Sequence, residues 1–288
     1  MNERKLLIGL IGSGIQKSLS PRLHEEEARH HGLRLFYQLI DLDTGGGRVE
    51  DLPTLIRAAR IMNFAGLNIT FPCKQAVIPL LDGLSEEARA MGAVNTVVNQ
   101  DGKLIGHNTD GSGWSWGFRR QLPEADLRRV VLLGTGGAGA AIAHAVLRLG
   151  AGHLVLVDQD PGRASALAAA LNDAYGDGRA SADPDIAAAL RTASGLIHAT
   201  PTGMDKLPGL PLDAALLRPA LWVSEVVYFP LETALLKAAR AAGCPTADGG
   251  GMAVGQAVGA FSLFTGMAPD ALRMDAHLRA LVSGQAKA

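Results

Sequence analysis

The sequence predicts an α/β protein of two domains. Three observations predict it: a length of 288 residues, strand and helix signals that alternate along most of the chain, and a second alternating stretch that opens at Val130 after a tryptophan-bearing helix. A chain of this length exceeds what one ordinary core organises. Alternating strands and helices fold into mostly parallel sheets with helices on both faces. The domains are expected at 1–112 and 113–251.

The elements follow in order. Leu6 to Ile11 is a short apolar run and reads as a buried strand. Pro21 to His31 reads as a helix, with Ser20 as its N-cap and Pro21 as its first residue. Leu35 to Asp41 is the next strand, and Asp51 to Met62 a helix on the spacing of Leu52, Leu55, Ile56 and Ala59. Gly66 to Thr70 is a short strand, after which Pro72 opens another helix. From Ala93 to Asn108 the pattern is a hairpin turning at Gln100-Asp101-Gly102. A helix carrying Trp114, Trp116 and Phe118 forms the passage between domains. Beyond Val130, strands are expected at His153–Asp158, Gly195–Ala199 and Trp222–Val227, with an alanine-rich helix at Ala164–Ala174. Gly249-Gly250-Gly251 reads as a breaker, and helices at Met252–Thr265 and Asp270–Ser283 close the chain. Those two helices could belong to either domain.

Composition excludes several classes of function. Lys and Arg number 27 against 28 Asp and Glu, for a net charge of −1, and no basic stripe is present. Nucleic acid is therefore not an expected partner, because phosphate contacts need clustered cations. Two cysteines, Cys73 and Cys244, make no disulfide framework, and the 8 histidines lack zinc-site spacing, so no metal is expected. No secretion signal and no membrane-spanning run is evident. The expectation is a cytoplasmic enzyme acting on a small molecule, as monomer or homodimer.

The second domain opens on a strand followed by Gly134-Thr-Gly136-Gly137-Ala138-Gly139, a dinucleotide fingerprint at the start of a helix. Gly134 permits the tight turn, Gly136 lets backbone N–H groups approach a pyrophosphate, and Gly139 lets the helix pack close to the sheet. The next strand ends in Asp158, where this fold places the ribose-binding carboxylate. Asp158-Gln159-Asp160 would set two carboxylates where NADP carries its 2′-phosphate. At ~5 Å and an effective dielectric of ~20, each unit of like charge costs about 3 kcal/mol, so NAD is the expected cofactor. Arg163 could offset some of this if it reaches the ribose.

Three features of the first domain resist a purely structural account as a set. Lys74 in the first turn of a helix would face the positive end of the helix dipole, at a cost of ~0.3–1 kcal/mol. Asp110 precedes a helix and could be its N-cap. Ser18, unlike Ser20, has no evident local job. These lie in Ser18-Leu-Ser20-Pro21, Gly66-Leu-Asn68-Ile-Thr70-Phe-Pro72-Cys-Lys74, Gly92-Ala-Val-Asn95-Thr96 and Asn108-Thr-Asp110-Gly111. The pattern continues through Ala199-Thr200-Pro201-Thr202-Gly203-Met204, Val227-Tyr228-Phe229-Pro230-Leu231-Glu232-Thr233, Asp248-Gly249-Gly250-Gly251-Met252 and Gln256. In order and spacing, over nearly the whole chain, these segments resemble the shikimate/quinate dehydrogenase family.

The resemblance implies an N-terminal α/β substrate domain, a Rossmann NAD-binding domain, and C-terminal helices (252–288) returning to the substrate domain. It implies Lys74 and Asp110 as the catalytic pair, Ser18 and Ser20 on the substrate carboxylate with Tyr228 nearby, and Asn68, Thr70, Asn95 and Gln256 on ring hydroxyls. Short polar groups of this kind suit a polyhydroxylated ring acid. On the cofactor side it implies Thr200, Gly203, Met204, Val227, Gly251 and Met252, with the two methionines flanking the nicotinamide or, equally well, packing in the core. The implied reaction interconverts shikimate and 3-dehydroshikimate, or quinate and 3-dehydroquinate, with NAD. In oxidation a neutral Lys74 would take the hydroxyl proton, so oxidation should quicken toward alkaline pH. The alternatives are an aminoshikimate or other modified ring-acid dehydrogenase, or an NAD-binding regulator without catalysis. Three departures stand out: Asp158-Gln159-Asp160 replaces a common Asn-Arg-Ser/Thr run and resembles the NAD-using branch, His198 replaces a usual Asn, and Lys17 a common His. Neither His198 nor Lys17 has an expected role.

Overall fold

A computed structural model of the chain describes residues 5–284. The elements run β1 (Lys5–Gly12), α1 (Ser20–His30), β2 (Arg34–Asp41), α2 (Leu52–Ile61), β3 (Gly66–Ile69), α3 (Cys73–Ala76), β4 (Gly83–Leu84), α4 (Glu86–Met91), β5 (Thr96–Gln100), β6 (Lys103–His107) and α5 (Asp110–Gln121). They continue as β7 (Arg129–Leu133), α6 (Gly137–Arg148), β8 (His153–Val157), α7 (Pro161–Tyr175), β9 (Ala180–Ala182), α8 (Ile186–Leu190), β10 (Gly195–His198), β11 (Trp222–Glu225), α9 (Ala234–Ala241), β12 (Thr246–Ala247), α10 (Gly250–Thr265) and α11 (Ala271–Val282). Two compact units result, one running through Thr109 and resuming at Gln256, the other spanning Asp110–Gly255. The second division falls inside α10, which a sequence breaker could not mark.

The first unit is built on a mixed sheet of order β2-β1-β3-β5-β6-β4. Side chains alternate across it with the period of a strand. Leu6, Ile8 and Leu10 of β1 join a core with Ala28 of α1 and with Phe261 and Phe264 of α10. Leu7 and Ile11, pointing the other way, join Leu52 and Ile56 of α2 and Ala88 of α4. Asp101 and Gly102 turn the β5–β6 hairpin with φ of 52° and 88°, the left-handed pair that a two-residue hairpin loop requires.

The closing helix α11 is tied to α1 by charge. Glu27, almost wholly buried, accepts from Arg273 Nη2 at 2.6 Å and Nε at 2.9 Å, and from the Asp270 backbone N–H at 2.8 Å. His31 Nε2 lies 3.1 Å from the same carboxylate. Burial alone would raise the Glu27 carboxyl, but these partners outweigh it and hold it below its ordinary value. Arg273→Ala is expected to destabilise the fold by about 2–3 kcal/mol, because a buried charge loses its bidentate partner while His31 and the Asp270 N–H remain. Denaturant unfolding of the two proteins measures this, and a loss below about 0.5 kcal/mol would contradict it.

The second unit carries a sheet of order β12-β11-β10-β7-β8-β9 in which every pairing is parallel. Val130, Val131 and Leu132 in the central β7 are each 0% exposed, as befits a strand covered on both faces. The order steps outward from β7 to β8 and β9, then crosses back to β10, β11 and β12. The reversal between β7 and β10 opens a crevice at their carboxyl ends, where such folds bind ligands.

Five local expectations are corrected. Ser20 is the first residue of α1 rather than its cap; Leu19 holds the cap position, and Ser18 Oγ accepts the Ser20 N–H at 3.3 Å. Ser18 therefore has a local job after all. The helix bearing Lys74 is a single turn, so its dipole is slight and that argument loses its force. Asp110 is itself the first residue of α5 and is buried, not a flanking cap. The triple glycine does not break the chain: α10 starts at Gly250, and a Cβ on Gly251 would lie 2.8 Å from Gly117 Cα, so paired glycines bring α5 and α10 together.

Candidate active site

Topology gathers the first set of residues. β1 and β3 run parallel with Leu10 beside Asn68, so the segments following both strands leave the sheet at one edge. β5 is antiparallel to β3 and begins at that edge, with Thr96 opposite Asn68. Ser18 and Ser20 follow β1, Thr70 and Lys74 follow β3, and Asn95 immediately precedes β5. Backbone bonds latch these segments: Ser13 N–H donates to Phe71 O at 2.9 Å, and Val94 N–H to Lys74 O at 2.9 Å.

The amides at this edge are held by a continuous hydrogen-bonded chain. Tyr37 OH donates to Asn68 Oδ1 at 2.7 Å, and Asn68 Nδ2 donates to Thr96 Oγ1 at 3.1 Å and Asn95 O at 3.3 Å. Thr96 Oγ1 donates to Asn95 Oδ1 at 2.9 Å, while Asn95 Nδ2 donates to Thr109 Oγ1 at 3.0 Å. Thr109 Oγ1 in turn donates to the Gln256 carbonyl at 3.2 Å. Each amide is thereby fixed in one orientation before any ligand arrives. Ser18 Oγ donates to Ser20 Oγ at 3.2 Å, which sets the two hydroxyls side by side. Tyr37, Thr96 and Thr109 were missed as members of this network. Tyr37 sits in an ordinary alternating strand, and nothing local distinguishes it. Asp110 and Tyr228 belong to the other unit. Tyr228 follows β11 and is half-buried, and burial pushes its phenol up.

In the second unit the glycine turn lies after β7, on one side of the strand reversal. Gly134 takes a φ of 98°, and a Cβ on Gly139 would stand 2.0 Å from Gly134 O. Nothing lies within 4 Å of a Cβ on Gly136, so the space above the N-terminus of α6 is open. A tight turn, a close-packed helix and an open cradle at a helix N-terminus, formed with Gly137 and Ala138, fit a dinucleotide pyrophosphate. Asp158 accepts from the Thr135 N–H at 2.6 Å, Thr135 Oγ1 at 2.7 Å, the Asp160 N–H at 2.9 Å and Arg163 Nη2 at 2.6 Å. Burial would raise this carboxyl, but the hydrogen bonds prevail and hold it well below the usual carboxylate range. Asp160 is the N-cap of α7, accepting the Arg163 N–H at 3.1 Å. Two bare carboxylates therefore overstate the repulsion toward a phosphate: one is paired with Arg163 and the other caps a helix.

The loop after β10 carries Thr200 and Gly203, with Gly203 at a φ of 100° and Met204 42% exposed. Val227, buried, donates its N–H to Glu225 Oε1 at 3.0 Å. Met252 belongs to the core with Trp114 and Phe118, and that packing accounts for it without a ligand. Gly251 is likewise accounted for by α5. His198, given no role by the sequence, is fully buried against Glu225. Among the described residues, no group of three or more His, Cys, Asp or Glu could hold a metal ion, and no helix is long and apolar enough to cross a membrane.

Residues 10–97 match the family described as the shikimate dehydrogenase substrate binding domain. Among similar proteins is a shikimate dehydrogenase (NADP(+)) of Streptomyces avermitilis, 60% identical over 98% of this chain and 97% of that one. A quinate/shikimate dehydrogenase (NAD(+)) of Corynebacterium efficiens is 46% identical over 98% of this chain and 100% of its own length. The solved structure of quinate dehydrogenase from Corynebacterium glutamicum in complex with NAD is 45% identical, with a TM-score of 0.90 over 96% of this chain and 100% of that one.

Proposed function

The chain belongs to the shikimate/quinate dehydrogenase family, and from that premise we propose that it interconverts shikimate with 3-dehydroshikimate, quinate with 3-dehydroquinate, or both, with NAD as the preferred cofactor. The observation that carries this reading is the hydrogen-bonded chain from Tyr37 through Asn68, Thr96 and Asn95 to Thr109. It fixes the Asn68 and Asn95 amides in one orientation at one sheet edge, as recognition of a ring bearing several hydroxyls needs.

In this reading Ser18 and Ser20 offer paired hydroxyls to the ring carboxylate, assisted by Tyr228. Asn68, Thr70, Asn95 and Gln256 take ring hydroxyls. Lys74 accepts the proton of the reacting hydroxyl in oxidation and returns it in reduction, with Asp110 as the second member of the catalytic pair. The dinucleotide supplies or receives the hydride. The turn from Gly134 to Gly139 holds its pyrophosphate, and Thr200, Gly203, Met204 and Val227 border its nicotinamide half.

The NAD preference rests on Asp158, whose ionised form four hydrogen bonds favour, and on the engagement of Arg163 by that same carboxylate. An NADP phosphate would have to draw Arg163 away and sit beside the Asp158 carboxylate it leaves. The test is a two-by-two rate comparison, shikimate and quinate each with NAD and NADP, on the wild type and on Asp158→Asn. NAD should lead NADP in kcat/KM for the wild type by at least about tenfold, and Asp158→Asn should narrow that lead by about tenfold. Equal use of both dinucleotides by the wild type would overturn the preference. Inactivity on both acids with either dinucleotide would overturn the function, and turnover of an amino-substituted ring acid instead would replace the substrate.

A further inference from the structure

His198 closes β10 at the carboxyl edge of the second sheet, beside the strand reversal, and it is 0% exposed. Its Nδ1 lies 2.8 Å from Glu225 Oε1 and its Nε2 lies 2.5 Å from Thr200 Oγ1. The surroundings of Glu225 decide where the protons are. That carboxylate accepts the Val226 N–H at 2.8 Å, the Val227 N–H at 3.0 Å and the Thr233 hydroxyl at 2.9 Å. Thr233 Oγ1 already accepts the Leu236 N–H at 3.2 Å as the N-cap of α9, so its own hydrogen goes to Glu225. Glu225 is thus surrounded by donors and acts as an acceptor, which places the imidazole hydrogen on Nδ1. A ring whose one hydrogen sits on Nδ1 has Nε2 as an acceptor, which takes the Thr200 hydroxyl hydrogen.

The consequence falls on Thr200, which is half-buried at the start of the loop leading to Gly203 and Met204. Its oxygen accepts the Thr202 N–H at 3.3 Å. A hydroxyl has one hydrogen and two lone pairs. With the hydrogen given to His198 and one lone pair taken by Thr202, one lone pair is left for a ligand.

The geometry points to His198 and Glu225 as positioning residues that fix Thr200 Oγ1 as a hydrogen-bond acceptor for a donor on the nicotinamide-riboside half of the dinucleotide. The donor is a ribose hydroxyl or the carboxamide N–H. Glu225 also holds the N–H groups of Val226 and Val227, so one buried pair organises the loops after both β10 and β11. An asparagine at position 198 can serve in the same sense, its amide N–H donating to Glu225 and its carbonyl accepting from Thr200, whereas an apolar residue cannot. The inference rests on the dinucleotide reading of this unit and adds the polarity of one contact within it.

Calorimetric titration of the full chain with ADP, ADP-ribose, NAD and the 3-acetylpyridine analogue of NAD tests it, on wild type, Thr200→Val, His198→Leu and His198→Asn. Thr200→Val and His198→Leu should each weaken NAD by about tenfold and leave ADP within twofold, the loss expected of one well-aligned hydrogen bond. His198→Asn should restore NAD affinity to within threefold of wild type. If the donor is a ribose hydroxyl, ADP-ribose weakens in parallel with NAD. If it is the carboxamide, ADP-ribose holds and the acetylpyridine analogue, which lacks the amide N–H, does not respond to Thr200→Val. Loss of ADP affinity equal to that of NAD would mean general loosening and would overturn the inference, as would undiminished NAD binding by Thr200→Val. Thr200→Val decides the matter should His198→Leu fail to fold. A wild type that binds none of the four would remove the dinucleotide reading itself, and the inference with it.

Discussion

Lys74→Ala is expected to lower kcat by roughly 10²–10⁴-fold, the range for loss of a positioned proton carrier, while the Kd for the dinucleotide stays within about twofold. The separation follows from the fold. Lys74 belongs to the unit bearing the residues proposed for the ring acid, and the glycine turn, Asp158 and Thr200 belong to the other. The local backbone does not depend on the side chain either, since the latch to Val94 uses the Lys74 carbonyl. Lys74→Arg gives the sharper result. Arginine keeps the charge but does not surrender its proton in the working range. If Lys74 carries the proton, Lys74→Arg is as slow as Lys74→Ala; if it supplies only charge, Lys74→Arg keeps much of the rate. Asp110→Asn should be impaired to a similar degree, and the double variant should be little worse than either single, because residues that act as one unit are not additive. Steady-state and single-turnover rates measure all four, and a Lys74→Arg protein with near-normal kcat would remove Lys74 as the proton carrier.

What the sequence revealed divides by the range of the interaction. The glycine turn was legible because its demands are local: the φ of Gly134 and the 2.0 Å approach at Gly139 arise within a few residues. The β5–β6 hairpin was legible for the same reason. The short strands β4, β9 and β12 were not, since two or three residues carry no period, and they are strands only because a neighbour pairs with them. Ser18 and Lys74 looked anomalous against helices assumed to be longer or to begin elsewhere. The deepest omissions were the partners of the candidate residues. Tyr37 on β2 reaches Asn68 on β3 past the intervening β1, and Glu225 on β11 reaches His198 on the adjacent β10, each pair far apart in the chain. A departure from a family pattern, such as His198, shows where to look but not what it touches.

Gly136→Ala and Gly139→Ala make the second large prediction, because two glycines of one motif should fail in opposite ways. A methyl at Gly136 meets nothing within 4 Å, and that glycine has a φ of −69°, which alanine adopts without strain. The fold should therefore be unharmed, with a midpoint of thermal unfolding within about 2 °C of wild type. The methyl would occupy the cradle above the α6 N-terminus, so dinucleotide affinity should fall by at least about 100-fold, nearly 3 kcal/mol. A methyl at Gly139 would stand 2.0 Å from the Gly134 carbonyl oxygen. That neighbour is backbone and cannot rotate aside, so α6 must lift from β7 and the cost should reach about 3 kcal/mol or more, the upper end for overpacking. Gly139→Ala should accordingly unfold early and lose dinucleotide binding as a consequence. Thermal unfolding together with ADP titration separates the two. If Gly136→Ala bound dinucleotide normally, the open space over α6 would not be the pyrophosphate site. If Gly139→Ala were as stable as wild type, close packing of helix on turn would not be what that glycine is for.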